Sequence, residues 1–308
     1  MREGLPVTGV EGLDRRTVIV RVPATSANVG VGFDCLGVAL DLTATFLLSP
    51  SDRLEIEGCE ERFRGEDNLV WQSYLAACEK IGTRAVPLRI AILSPIPLSG
   101  GLGSSSACVI AGIGAAMALS PEGFDRERAL KIAVTLEGHP DNVAPALLGG
   151  LVSSFVDGDV TTSTRMDVAS SLRFVAVAPP YEVRTADARR VLPETVTRET
   201  AVWQMGRCVA VVRAFETGDA TLLAAACHDR LHEPYRSQLI PDYEPLRTTA
   251  LEAGASAFVI SGSGSTMLAI ADGDEVARRV ADALTAARPS FWLRTLPANT
   301  LGTTVEVQ

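Results

Sequence analysis

The chain has 308 residues, enough for two lobes, and its 47% apolar, 21% charged and 5% aromatic content describes a globular protein with an aliphatic interior. A formal charge of −9, from 37 acidic against 28 basic residues, repels polyanions and argues against nucleic acid or anionic membrane as partners. The opening MREGLPVTGVEGLDRR lacks the apolar core of a secretory leader and no stretch of about 18 uncharged apolar residues follows, so a cytoplasmic location is expected. Six cysteines without a CxxC pair argue against a zinc ribbon and predict reduced, buried thiols.

Apolar and β-branched runs broken by Gly, Pro and Asp predict strands over 18–22, 36–48 and 54–56. The period then changes: Leu69, Leu75, Ala76 and Ile81 share a helical face and Gly82 follows as a stop. Residues 88–93 read as a strand, 94–103 as a Pro- and Gly-rich loop, and 104–119 as a helix of small residues, giving the order strand, glycine loop, helix. Helices are expected at 125–136 and 142–148 and a strand at 151–156. The acidic, Ser/Thr-rich piece 157–167 is the expected lobe boundary, dividing residues 1–165 from 166–308. The second half predicts a strand at 174–178, helices at 185–191, 197–216, 218–227 and 242–253, a strand at 256–260, a helix at 273–287 and two closing strands. Without a regular βαβ rhythm, the fold class is α+β in two lobes.

Four segments carry groups suited to chemistry. In Gly100-Gly101-Leu102-Gly103-Ser104-Ser105-Ser106, glycines let backbone approach a ligand while the following helix offers free amides and the positive end of its dipole, which suits a triphosphate; the bland alternative is a glycine turn with serine caps. No lysine follows Gly103, so this is not a GxxxxGK[ST] loop, and neither Gly30-Val31-Gly32 nor Gly262-Ser263-Gly264 completes GxGxxG. Residues 23–34, PATSANVGVGFD, form a polar turn in which Asn28 and Asp34 can hold an ammonium or hydroxyl. In Glu137-Gly138-His139-Pro140-Asp141-Asn142, Glu137 can ligate Mg²⁺, His139 can donate to a carboxylate, and Asp141 or Asn142 can reach a reacting oxygen. ISGSGST at 260–266 is a second glycine loop. Arg184, Arg189, Arg190, Arg230 and Arg236 are candidates for a carboxylate clamp. His228 and His232, among many charges, read as surface residues.

With these segments in this order the chain resembles the GHMP kinase superfamily over essentially its full length, and its homoserine kinase branch most closely. PIPLSGGLGSSSA (95–107) resembles the superfamily's phosphate loop; VPATSANVGVGFDCLGVAL (22–40), through its SANVGVGFD, and EGHPDNVAPALLGG (137–150) narrow the match, and ISGSGSTMLAI (260–270), ARRVLP and DRLHEPYRSQLIP add to it. Ser265 stands where proline is common in the family.

The resemblance implies an N-terminal lobe like domain 2 of ribosomal protein S5 and a ferredoxin-like C-terminal lobe. It implies ATP held by Pro95, Ile96, Pro97, Leu98, Ser99, Gly100, Gly101, Leu102, Gly103, Ser104 and Ser105, and Mg²⁺ near Ser104 and Glu137. It implies homoserine gripped by Asn28, Asp34, His139, Arg189 and Arg236, with Asp34 on the α-ammonium and the arginines on the α-carboxylate. Asn142 stands where many relatives have a catalytic aspartate, so Asn142 and Asp141 are the expected catalytic pair, with Asn142 orienting the hydroxyl rather than deprotonating it. A homodimer and a step in threonine biosynthesis are implied as well. The alternatives are a kinase for another small alcohol, such as mevalonate or shikimate, a silent ligand-binding relative, and a hydrolase triad drawn from Ser105, His139 and Asp34 or Asp141, which GxSxG does not support.

Overall fold

The computed structural model describes residues 16–98, 100–158 and 160–308. The first lobe holds β1 (Val18–Ala27), β2 (Leu36–Pro50), β3 (Glu55–Glu57), α1 (Leu69–Ile81), β4 (Leu88–Leu93), α2 (Ser104–Leu119), α3 (Arg126–Glu137), α4 (Val143–Leu148), β5 (Leu151–Asp157) and β6 (Val160–Met166). The second holds β7 (Leu172–Ala178), α5 (Thr185–Arg190), α6 (Arg198–Thr217), α7 (Ala220–Ala226), α8 (Glu233–Arg236), α9 (Tyr243–Glu252), β8 (Ala257–Ile260), β9 (Met267–Asp272), α10 (Asp274–Ala287) and β10 (Trp292–Leu296). The last strand, β11 (Thr304–Val307), returns to pair with β1, so both chain halves contribute to the first sheet.

That sheet runs β11-β1-β2-β4-β3, with the β5–β6 hairpin attached to the start of β2. Helix boundaries follow side-chain chemistry. Asn68 caps α1 by accepting from the Val70 amide at 2.9 Å, Asp125 caps α3 through the Arg128 amide, and Gly82 and Gly138 end those helices in the left-handed region. Each such N-cap contributes about 1 kcal/mol. Helix α2 is buried all round from Ser106 to Ala118 except at Cys108, which suits its Ala- and Gly-rich sequence. Gly112 lets α2 press against α1, because a Cβ there would collide with the Val70 carbonyl.

The second sheet, β10-β7-β9-β8, alternates with period two. Val175 and Val177 of β7, with Ala269 of β9, face a core built with Leu246, Val280 and Leu284 of α9 and α10. Phe174 and Ala176, with Leu268 and Ile270, face the other way into the main core beside Phe215 of α6. One sheet thereby joins its own helices to the first lobe.

The two-lobed α+β organisation is as expected. Within the segment expected to hold the lobe boundary, Val160–Met166 form β6, whose exposed Ser/Thr alternation lacks the apolar face that marks a strand in sequence. Of the cysteines, expected to be buried, Cys78 and Cys227 are, and the other four are partly exposed. Among the described residues no helix is long and apolar enough to cross a membrane.

Candidate active site

Where the lobes meet lies a cleft of about 370 Å³, and the sequence-predicted groups Asn28, Asp34, Ser104, Ser105, Glu137, His139, Asp141, Asn142, Arg189 and Arg236 all line it. At one end is the glycine loop. Gly103 has φ +71°, and a Cβ there would fall on the Thr25 hydroxyl, so glycine is required for both conformation and space. The loop's carbonyls are tied off: Gly100 accepts from the Thr266 amide (2.9 Å), Gly101 from the Ser261 hydroxyl (2.7 Å) and Leu102 from the Thr25 amide (3.1 Å). The first-turn amides of α2 have no acceptor within the helix and carry the positive end of its dipole. An anion is the natural ligand of such a terminus.

The second glycine loop therefore braces the first. Ser265 anchors it by donating to the Tyr181 carbonyl. Within the predicted ATP-binding stretch, Gly101, Gly103, Ser104 and Ser105 reach the cleft. Leu102 is fully buried, and Ser99 lies outside the described residues. Ile96 and Leu98 line a neighbouring apolar pocket of about 280 Å³ with Phe46, Phe63, Asn68, Ile92 and Cys108, which shares Ser104 and Ser105 with the cleft. Sequence reasoning missed this pocket because its walls come from segments far apart in the chain. An apolar slot contiguous with an anion site suits a nucleotide's base beside its phosphates.

The opposite wall carries charge. Asn28 is buried; its Oδ1 accepts from the Asp34 amide (3.0 Å) and its Nδ2 donates to the Gly262 carbonyl (2.8 Å). Arg189 donates to both carboxylate oxygens of Asp34, at 2.9 and 3.1 Å, and this bond holds the guanidinium pKa above its ordinary value. Arg236 is buried, which pulls its pKa below the usual arginine range, and it donates to the carbonyls of Gly262 (2.9 Å) and Ala188 (3.2 Å). Arg184 also lines the cleft, whereas Arg190 turns to Asp187 and Arg230 stacks over Trp203 at 4.2 Å, so neither joins the clamp.

Between the two walls, His139 Nδ1 lies 2.7 Å from Asp141 Oδ1, and that hydrogen bond is the main cause of the imidazole's raised pKa. Burial raises the pKa of Glu137, which accepts from the Ser105 hydroxyl at 3.0 Å. Ser105 and His139 are thus bonded to different partners rather than to each other, contrary to a hydrolase triad. The Thr25 hydroxyl, missed in sequence, donates to Asn142 Oδ1 at 2.7 Å and leaves the amide nitrogen as that side chain's donor. Among the described residues no group of three or more His, Cys, Asp or Glu forms a metal cage.

His232 corrects the sequence reading most sharply: it is fully buried, with Nε2 2.7 Å from the Gly30 carbonyl. Its neighbours in sequence are charged, but tertiary packing encloses it.

Comparison with known proteins agrees with this architecture. The family model for the GHMP kinases N terminal domain matches residues 68–150, and that for the GHMP kinases C terminal matches 211–289. A homoserine kinase of Clostridium beijerinckii is 40% identical over 257 residues, covering 83% of this chain and 86% of the relative. One from Clostridium botulinum is 36% identical over 291 residues, covering 94% and 98%. The crystal structure of homoserine kinase from Cytophaga hutchinsonii superposes with a TM-score of 0.85 at 31% identity, covering 98% of this chain and all of that one.

Proposed function

The chain belongs to the homoserine kinase family of GHMP kinases, and from that premise we propose that it transfers the γ-phosphoryl group of ATP to the side-chain hydroxyl of L-homoserine. The product, O-phospho-L-homoserine, then feeds threonine synthesis in the cytoplasm. The observation that carries the substrate assignment is the Asp34–Arg189 pair, with Arg236 in the same cleft. An α-amino acid exchanges into this pair without leaving a charge uncompensated: its ammonium replaces the guanidinium at Asp34, and its carboxylate replaces Asp34 at Arg189. Mevalonate has no ammonium, so it satisfies the arginines and strands Asp34.

ATP sits with its base in the apolar slot and its phosphates on the α2 amides, between Gly101 and Ser105. Mg²⁺ uses few protein ligands when it travels with a nucleotide, and the Ser104 hydroxyl and Glu137 carboxylate, both hard oxygen donors lining the cleft, fit that pattern. When bound, the ion supplies neutralisation of phosphate charge. Asn142 cannot act as a base. With its carbonyl oxygen engaged by Thr25, it presents an N–H donor toward the reacting oxygens, and His139 holds Asp141 beside it. Phosphoryl transfer through a loose transition state depends on alignment and charge stabilisation more than on proton removal, which suits this arrangement. The convergence of Ser104, Glu137 and Asn142 on one cleft favours a working kinase over a silent binder.

The test is ADP release measured with a panel of alcohols. Turnover with homoserine, far above that with mevalonate or shikimate, is expected; turnover with mevalonate and none with homoserine would overturn the assignment.

A further inference from the structure

The loop that presents Asn28 and Asp34 is backbone-strained and held from outside. Asn28, Val29 and Asp34 have φ of 69°, 45° and 56°, a region that side chains avoid and that a β-branched valine tolerates least. Such a conformation persists only where its surroundings impose it. Here three consecutive carbonyls of the loop are approached by side chains of the other lobe: Val29 by Cys227 Sγ at 3.9 Å, Gly30 by His232 Nε2 at 2.7 Å and Val31 by Gln204 Nε2 at 2.8 Å.

The donors are themselves fixed. The buried Asp229 carboxylate accepts from the amides of Leu231 (2.9 Å), His232 (2.7 Å) and Glu233 (2.8 Å), and from Gln204 Nε2 (2.5 Å). The His232 ring stacks on Phe33 with centroids 5.3 Å apart, and the Arg236 guanidinium lies 5.0 Å from that same phenyl ring. His232 therefore touches the loop at Gly30 and, through Phe33, the neighbourhood of Arg236.

We propose that His232 is a positioning residue of the reaction: one neutral imidazole, donating from Nε2, sets the loop that carries Asp34 and the ring against which Arg236 rests, aligning both charged halves of the amino-acid grip. This rests on the reading of Asp34, Arg189 and Arg236 as that grip. Donation from Nε2 leaves Nδ1 bare, and Nδ1 is buried without a hydrogen-bond partner among the described residues. Burial holds the imidazole pKa below its ordinary value. Asp229 and Asp34 favour the charged form and Arg236 opposes it.

Two measurements test the proposal. His232→Phe keeps a ring for the stack and removes the donor, and His232→Gln restores an N–H. The Phe variant is expected to raise KM for homoserine about tenfold, with kcat and KM for ATP within about twofold of the parent, and the Gln variant to recover most of the loss. Long-range ¹H–¹⁵N spectra of the histidine-labelled parent, which has only three histidines, should contain one imidazole that stays neutral, protonated at Nε2 and bare at Nδ1, when the pH is taken below the ordinary imidazole value of about 6.5. A parent-like homoserine KM in a folded His232→Phe protein, or three imidazoles that all titrate at or above that value, overturns it. If the Phe variant does not fold, the parent spectra and the Gln variant decide. Parent turnover of homoserine is measured in the same assays, so failure of the grip reading is distinguished from failure of this one.

Discussion

Replacing Asp34 by asparagine tests the amino-acid grip at its one carboxylate. The two Asp34–Arg189 bonds, 2.9 and 3.1 Å long, join side chains that are 34% and 42% exposed, so solvent screens the pair and its own contribution to stability is within about 1 kcal/mol. Binding is affected more. A hydrogen bond to a charged partner contributes about 1.5–3 kcal/mol, and each 1.4 kcal/mol is about tenfold in affinity. Partial exposure favours the lower end, giving an expected rise of about tenfold to thirtyfold in KM for homoserine, with KM for ATP unchanged. The assay is steady-state ADP release at saturating ATP, run in parallel with 4-hydroxybutyrate, which lacks the ammonium. Preference for homoserine over that analogue should shrink by a similar factor, because a neutral amide in place of the carboxylate no longer demands a cation. A homoserine KM within about twofold of the parent, or an ATP KM that rises alongside it, would refute the reasoning.

Two further outcomes are expected. Thr25→Val removes the donor that fixes the Asn142 amide while preserving shape, so kcat should fall about tenfold or more with both KM values nearly unchanged, and Thr25→Ser should restore it; stopped assays of the purified variants decide. Burial pushes the Glu233 carboxyl up to about 8, and its Oε1 accepts from the Ile260 amide at 2.7 Å. The folded protein thus keeps a proton that the unfolded chain releases above roughly pH 4.5. This contribution to stability is fully present below the unfolded value and is lost as pH rises through about 8, amounting to a few kcal/mol at most. Urea midpoints should fall between about pH 5 and 8 in the parent and stay flatter in Glu233→Gln; parallel curves for the two proteins would remove Glu233 as the cause.

Elements with local punctuation were legible in the sequence. The helical period that stops at Gly82 marks α1, and the small-residue segment after the glycine loop marks α2. The residues proposed to hold the substrate stand in recognisable motifs, and they line one cleft although Asn28 and Arg236 are over two hundred positions apart. What escaped depends on tertiary packing. The four-residue α8 is too short for a periodic signal, and β6 has polar side chains on both faces. His232 looked solvated because Asp229, Arg230 and Glu233 flank it, yet the Asp229 carboxylate turns inward to cap α8 and draws the imidazole with it. The roles of Thr25 and of the apolar slot likewise exist only once distant segments have met.

The central claim is that this cleft passes a phosphoryl group from ATP to the hydroxyl of an amino acid. The most direct measurement is ³¹P NMR of the purified protein with ATP, Mg²⁺ and homoserine. A phosphomonoester signal split by the adjacent methylene protons, growing as ATP is consumed and absent without homoserine, is the predicted result. ADP with inorganic phosphate and no phosphomonoester, or an ester formed from mevalonate but not from homoserine, would contradict it.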